Sequence, residues 1–227
     1  MEQLLQRFAA QEIFQELRNA ERENRTADFS NKLLPEFSFS GREISTGINF
    51  KGSTIQGALH LDECIIKGDV NLEQALIYAT LYLSKTEIQG EFFANQIRIR
   101  GVLNMVASTF KKNIYMKESS VKGFLGLNKV QIEGNLDISK SVIKDIVTKT
   151  GTIRGDVYLR DAKVGGSVIA GEIISEGLGN FEKTSIGQNL DLKNSKFKEV
   201  VILSGTIVEG EIEAQNLQCK SLIAHVA

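Results

Sequence analysis

The stretch GNLDISKSVI, residues 134–143, decides the fold of this 227-residue chain, because the same phrase returns along most of it. Leu136, Ile138 and Ile143 are its three apolar marks. Stepping along the chain eleven positions at a time recovers an equivalent triplet from residues 37–44 to residues 212–219, with one step that is shorter by a single position. The marks are apolar at 48 of 51 positions in 17 units, against 42% hydrophobic residues in the chain, so composition does not explain the period.

Each unit predicts two short extended segments. The first two marks lie two residues apart with a mostly polar residue between them, as in a half-buried strand. A unit this short cannot bury its own apolar side, so the units must stack on one another as a solenoid. We therefore predict an all-β fold, a parallel β-helix of about 8 coils with two units per coil, although three units per coil also fit the pattern.

Small residues recur at two places in the unit. The position two residues before the third mark is usually small, as at Ser119 and Ser141. The position two residues before the first mark is glycine in ten of the 17 units, as at Gly101 and Gly123. We expect these glycines to supply a backbone conformation that other residues avoid, at a corner repeated in every unit.

Inward aliphatic residues, small residues two positions before the next inward one and glycine corners resemble the pentapeptide-repeat proteins over about residues 35–223. The resemblance implies a right-handed, four-sided parallel β-helix. The 11-residue unit departs from the five-residue unit of that family and is similar to longer-period relatives and, more distantly, to the polymer-forming bactofilins. Some pentapeptide-repeat proteins inhibit DNA topoisomerases by resembling an acidic duplex, and the basic middle of this chain argues against that role.

Charge, cysteine content and motifs exclude several classes of protein. The net charge is −1, the two cysteines lack CxxC spacing, and there is no apolar run of transmembrane length. Cys64 and Cys219 are predicted to be core thiols, and a reducing cytoplasm is the expected location. His60 is expected at the surface and His225 at the end of the core. Since no catalytic or metal-binding motif occurs, we predict no enzyme activity, no cofactor and no metal.

The first residues predict a separate element. We divide the chain into an N-terminal amphipathic helix in residues 1–30, a cap or an oligomerisation element, and a parallel β-helix in residues 31–227. Residues 2–24 contain neither glycine nor proline and carry two apolar stripes. Either one stripe packs on the first coil while the other meets a second copy, or the chain buries both. The two stripes consist of Leu4, Leu5 and Phe8, and of Ile13, Phe14 and Leu17.

The far end reads as an incomplete unit, KSLIAHVA in residues 220–227. An open solenoid end exposes unpaired strand edges and part of the core, which invites another chain. We predict homodimerisation or filament growth there, with Val226 in the contact, unless the last residues fold over the end. A charge at Val208 or Ile212 is expected to unfold the monomer, whereas a charge at Val226 is expected to disrupt assembly only.

Positive charge concentrates in the middle, where residues 98–154 carry 11 basic and 4 acidic groups. Three basic residues recur every 22 positions and would stack along one edge of a two-unit coil, with a lysine pair across the rod and outward aromatic residues nearby. We expect these residues to bind an anionic ligand or a protein partner, unless they only form a solvated face. The set comprises Arg100, Lys111, Lys112, Lys122, Lys144, Phe93, Tyr115 and Tyr158.

Together these features predict a non-enzymatic scaffold or protein–protein interaction module that self-associates as a homo-oligomer. The alternatives are an inhibitor of a DNA topoisomerase and a binder of nucleic acid or lipid through the Arg100–Lys144 edge. Nucleic acid is the less favoured partner, because the net charge gives no overall attraction to it.

Overall fold

The computed structural model describes residues 5–224 as a parallel β-solenoid of about ten coils with one N-terminal α-helix. The predicted fold class is confirmed. Each strand pairs in parallel with its equivalent in the next coil, as Val70 does with Phe92, and this spacing spans two units of the sequence pattern. There are more coils than the eight expected, because strand pairing begins at Ala27–Asp28, before the first unit of the sequence pattern.

Each coil has four sides, which we call faces 1 to 4 in the order in which the chain visits them. Face 1 is a ten-stranded sheet and face 4 an eight-stranded one, while faces 2 and 3 join into one sheet of 17 strands. The strands of face 1 are Ala27–Asp28, Ile48–Asn49, Val70–Asn71, Phe92–Phe93, Ile114–Tyr115, Leu136–Asp137, Val157–Tyr158, Gly179–Asn180, Val200–Ile202 and Ser221–Ile223. The strands of face 4 are Glu43–Ile44, Ile65–Ile66, Glu87–Ile88, Thr109–Phe110, Gln131–Ile132, Thr152–Ile153, Ile174–Ser175 and Lys196–Phe197.

Faces 2 and 3 share two longer strands that run around the corner between them, Ser120–Gly126 and Val142–Val147. The other strands of face 2 are Gln6–Arg7, Lys32–Leu34, Thr54–Ile55, Leu76–Ile77, Arg98–Ile99, Lys163–Val164, Ser185–Ile186 and Ile207–Val208. The other strands of face 3 are Phe37–Ser38, Leu59–His60, Leu81–Tyr82, Leu103–Asn104, Val168–Ile169, Leu190–Asp191 and Ile212–Glu213.

The single shorter step of the sequence lies at the corner that these longer strands cross. Val121 pairs with Ile143, whereas Leu125 pairs with Ile146, so one residue is lost between them. Just beyond this corner the pairing of Leu136 with Val157 is one position short of the usual spacing, and the next pairing on this face, Val157 with Gly179, has the full spacing again. The missing residue therefore shortens one corner of the coil, and all four faces continue.

The core is a stack of the apolar marks. Every mark from Phe37 to Val201 is buried, including the exceptions Thr148, Ser175 and Gly179. Most buried serine and threonine hydroxyls donate to carbonyl oxygens of the preceding coil, as Ser119 does to Ala94 at 2.8 Å. These small hydroxyl residues let the chain turn close to its neighbour while their polar atoms stay hydrogen-bonded.

The glycines of the repeat do not have the conformational role that the sequence suggested. A residue with positive φ recurs once per unit in the turns between faces 1 and 2 and between faces 3 and 4, and it is usually not glycine, as at Lys85 (φ 57°) and Ala107 (φ 58°). The glycines of the sequence pattern lie at the other corners. Gly101 is needed there because a Cβ would lie 2.7 Å from the carbonyl oxygen of Ala79. Close stacking of coils, not a special φ, selects these glycines.

The N-terminal helix is shorter than predicted and caps the first coil. It spans Ala10–Arg22, and Gln6–Arg7 before it forms a strand that pairs with Lys32–Leu34. Ile13, Leu17 and Ala20 are buried against the coil, and Phe14 packs edge-on against Phe39 with ring centroids 5.6 Å apart. One stripe of the predicted two thus packs on the first coil.

Candidate interaction surfaces

The basic residues of the middle coils lie on two separate faces. Arg100, Lys122 and Lys144 follow the strands of face 2 and form one straight row, one residue per coil, as predicted. Lys111 and Lys112 follow the face 4 strand Thr109–Phe110, on the opposite side of the four-sided coil. These five residues therefore do not form one site.

The aromatic residues lie on a third side, face 1. Phe93 and Tyr115 point outward from neighbouring strands and stack in parallel, with ring centroids 5.5 Å apart and an interplanar angle of 9°. Asp137 separates Tyr115 from Tyr158 along the same row. The Tyr158 hydroxyl donates to Asp156 at 2.6 Å, and this bond to a carboxylate raises the pKa of Tyr158 to about 12. Cross-coil stacking accounts for the spacing of the first two rings.

His60 is more constrained than a plain surface residue. Its ring stacks on Tyr82 with centroids 4.6 Å apart, and its Nδ1 lies 3.7 Å from an Asp62 oxygen. Cys64 is a buried core thiol, as predicted, and burial raises its pKa. Cys219 is only half-buried, because it lies in the last coil. His225 lies outside the described residues.

The last coil is the main departure from the predicted core. The marks beyond Val201 are Leu203, Val208, Ile212, Ala214 and Cys219, and none of them is buried. Ile212 is 55% exposed although its strand partner Leu190 is completely buried, and Leu222 is 50% exposed above the buried Val201. Within residues 5–224 nothing packs on the far side of this coil, so a slice of the core faces solvent. A charge at Ile212 is therefore not expected to unfold the monomer.

The residues predicted for self-association have different environments. Ile13 and Leu17 are buried by the chain itself, so they are inaccessible to a partner. Phe8 and Phe14 are half-buried against the core, and Leu5 is partly exposed. Leu4 and Val226 lie outside the described residues. The exposed side of the helix is polar and consists of Gln11, Glu12, Gln15, Arg18 and Arg22.

Sequence comparisons identify no relative of this chain. No protein-family model matches the chain, and no curated protein matches it. In the part of the chain that the structure describes, no helix is long and apolar enough to cross a membrane. The same part contains no group of three or more histidine, cysteine or acidic side chains placed to hold a metal ion.

Proposed function

We propose that the protein is a non-enzymatic β-solenoid scaffold that associates with a second copy of itself through its C-terminal coil. The exposure of the core marks in that coil carries the proposal. Burying the exposed half of side chains such as Ile212 and Leu222 is favourable by roughly 1 kcal/mol each, and a second copy offers the same apolar surface.

Strand edges at this end support the same proposal. The last strands of faces 1, 2 and 3, Ser221–Ile223, Ile207–Val208 and Ile212–Glu213, each pair with a strand of the preceding coil only. Their free edges carry backbone donors and acceptors that another strand can satisfy. Apolar side chains and free strand edges together match the surface that each coil presents to its neighbour inside the solenoid.

The N-terminal helix favours a closed dimer over a filament. Head-to-tail growth would require the open coil of one copy to stack on the N-terminal end of the next. That end is covered by the helix, whose outward side chains are polar. Joining two C-terminal coils head to head instead uses the same surface twice and closes after two copies.

The family resemblance supports an architectural role. The four-sided coil is the one that the resemblance to pentapeptide-repeat proteins implies, and we propose that the chain is a long-period relative of them. The half-buried His60 lies within 4.0 Å of carboxylate oxygens of Glu36 and Asp62, and Tyr82 covers one side of its ring. This arrangement fits cross-coil packing better than a reaction site.

Light scattering on matched variants tests the dimer. Ile212→Lys places a charge on the open coil, whereas Ile174→Lys places the same charge on an equally exposed isoleucine (50%) of face 4. We expect wild type and Ile174→Lys to have twice the chain mass of 25.1 kDa, and Ile212→Lys to have the single mass with an unchanged circular dichroism spectrum. Identical masses for the two variants would refute the proposal.

A further inference from the structure

Face 2 is chemically unlike face 4, although both faces have the same backbone and display two outward rows. Between Thr54 and Glu209, face 2 displays five cations and one carboxylate, Glu209 in the last coil. Over the same coils, from Ile65 to Lys220, face 4 displays six cations and three carboxylates, and a fourth carboxylate, Glu43, lies one coil earlier. The cations of face 2 are Arg98, Arg100, Lys122, Lys144 and Lys163. The carboxylates of face 4 are Glu43, Glu87, Glu133 and Glu176.

Several cations elsewhere on the surface pair with carboxylates of the neighbouring coil. On face 4, Lys67 contacts Glu43 at 2.7 Å and Arg154 contacts Glu133 at 2.9 Å. Similar bridges join neighbouring coils at other positions, such as Lys51 with Glu73 at 2.9 Å. None of the five face 2 cations has an ion pair with any described residue. Three of them stack directly, about 4.8 Å apart along the rod, so they repel one another.

Exposed apolar side chains lie among these cations. Val142 is 53% and Ile207 62% exposed on one outward row of face 2, with Lys163 between them. They border a shallow groove of about 450 Å³ whose floor includes Gly165 and Gly187. A Cβ at Gly165 would lie 3.8 Å from its nearest neighbour, the carbonyl oxygen of Lys144, so packing does not require glycine there.

From these observations we propose that face 2 docks on the surface of an anionic lipid bilayer. Stacked cations without carboxylates attract acidic headgroups, and the aliphatic side chains beside them enter the boundary with the acyl chains. In-register pairing of the strands places both outward rows along one side of the solenoid. Self-association through the C-terminal coil is not needed for this docking.

A nucleic acid fits the same face less well. Single strands bind to cationic grooves that also offer free aromatic rings for base stacking. The one aromatic residue in the outward rows of face 2, Tyr78, has the Arg100 guanidinium 4.0 Å above its ring centroid. Val142 and Ile207 offer nothing to phosphates, whereas a bilayer accommodates both kinds of side chain.

Vesicle flotation of the full chain tests the proposal. We expect binding to phosphatidylcholine vesicles that contain about 30% phosphatidylserine, little binding to pure phosphatidylcholine, and weaker binding as salt rises. The variant Lys122→Glu/Lys144→Glu should bind at least about tenfold more weakly, since each cation near such a surface contributes measurably. The matched control Lys111→Glu/Lys198→Glu makes the same charge change on face 4 and should bind as wild type does.

Two further variants separate the parts of the docking surface. Gly165→Glu adds a carboxylate to the cationic row where a side chain fits, and it should weaken binding while leaving the melting temperature unchanged. Val142→Thr/Ile207→Thr should weaken binding most at high salt, where the electrostatic attraction is screened. Equal binding by the face 2 and face 4 charge variants, or no preference for phosphatidylserine, would overturn the proposal. Retention of a DNA or RNA oligonucleotide in place of vesicles would overturn it in favour of a nucleic-acid partner.

Discussion

The apolar core is covered at the N-terminal end of the described solenoid and exposed at its C-terminal end. At the first coil a helix buries Ile13 and Leu17 over the phenylalanines of the core. At the last coil Ile212 and Leu222 remain half exposed. A coil has two sides and can bury both only if something stacks on each. The repeat alone therefore does not close a solenoid, and each end needs its own cover.

The capped end is not a perfect copy of the interior. Glu16 of the helix accepts hydrogen bonds from Arg25 at both carboxylate oxygens, and its Oε1 also accepts the backbone N–H of Asp28 at 3.0 Å. In the first coil Leu33 pairs with Thr54, which is one position short of the usual spacing. In the second coil, just before Thr54, the Ser53 hydroxyl is buried without a hydrogen-bond partner. The coils next to the helix therefore depart from the regular strand spacing and hydrogen bonding of the interior.

The largest expected difference comes from the same charge placed at each end. Leu17→Asp buries a carboxylate under the cap and should lower the free energy of unfolding by about 3–5 kcal/mol. Ile212→Asp leaves its carboxylate in water and should cost less than about 1 kcal/mol. Urea unfolding followed by circular dichroism, at a concentration where wild type is monomeric, measures both. Equal losses would mean that the open coil is covered in solution.

A glycine pair compares the interior with the open end. Gly101→Ala places a Cβ 2.7 Å from a backbone oxygen of the preceding coil, between two fixed neighbours, and should cost about 2–3 kcal/mol. Gly210→Ala meets Asn189 and Gln188 below it in the last coil, where no described residue stacks above. It should therefore cost about half as much.

The control for this pair is Gly165→Ala, which meets no close atom and should be neutral or slightly stabilising. Thermal unfolding ranks the three variants. A loss at Gly210 as large as that at Gly101 would show that the last coil is held as firmly as the interior.

A serine pair compares the second coil, which pairs irregularly with the first, with the interior. The buried Ser195 hydroxyl donates to the Ala170 carbonyl oxygen at 2.6 Å, so Ser195→Ala should cost about 1–2 kcal/mol. Ser53 has no partner for its hydroxyl, so Ser53→Ala should leave stability unchanged or raise it by less than about 1 kcal/mol. Chemical denaturation of both variants measures this difference. A comparable loss at Ser53 would indicate that its hydroxyl is hydrogen-bonded in solution.

The smallest expected effect is a pH dependence of the cap. Hydrogen bonds from Arg25 lower the pKa of Glu16 in the folded protein. The stabilisation is therefore complete above the unfolded pKa of glutamate and is lost as pH falls through the lower folded pKa. Glu16→Gln should remove less than about 1 kcal/mol at pH 7 and flatten this acid dependence. Melting temperatures between pH 7 and pH 3 check it, with the exposed Glu12→Gln as a control.

Periodicity predicted the interior of the fold well, because every coil there buries the same apolar positions between two neighbouring coils. The row of Arg100, Lys122 and Lys144 followed from the same spacing. The exposure of Ile212 could not be predicted in this way. The sequence around Ile212 has the same pattern as the sequence around buried marks, and only its place in the stack differs. The helix start was also misplaced, because Gln6–Arg7 gains its strand from pairing with residues distant in sequence.

The charge asymmetry was within reach of the sequence but was not recognised there. Grouping residues by their place in the two-unit coil would have shown that the outward rows of face 2 contain almost no carboxylates. Lys111 and Lys112 were correctly placed across the rod from this row, but they were counted in the same candidate binding set. The reason for the glycines required coordinates, because the approach of two backbones is a property of the stack.

Small-angle X-ray scattering tests most directly the claim that open ends join. A head-to-head dimer keeps the cross-section of one solenoid and doubles its length, from about 50 Å to about 100 Å for ten coils per copy. We expect this doubling for wild type, no further growth with concentration, and the shorter rod for Ile212→Lys. A thicker particle of unchanged length, or a length that keeps increasing with concentration, would contradict it.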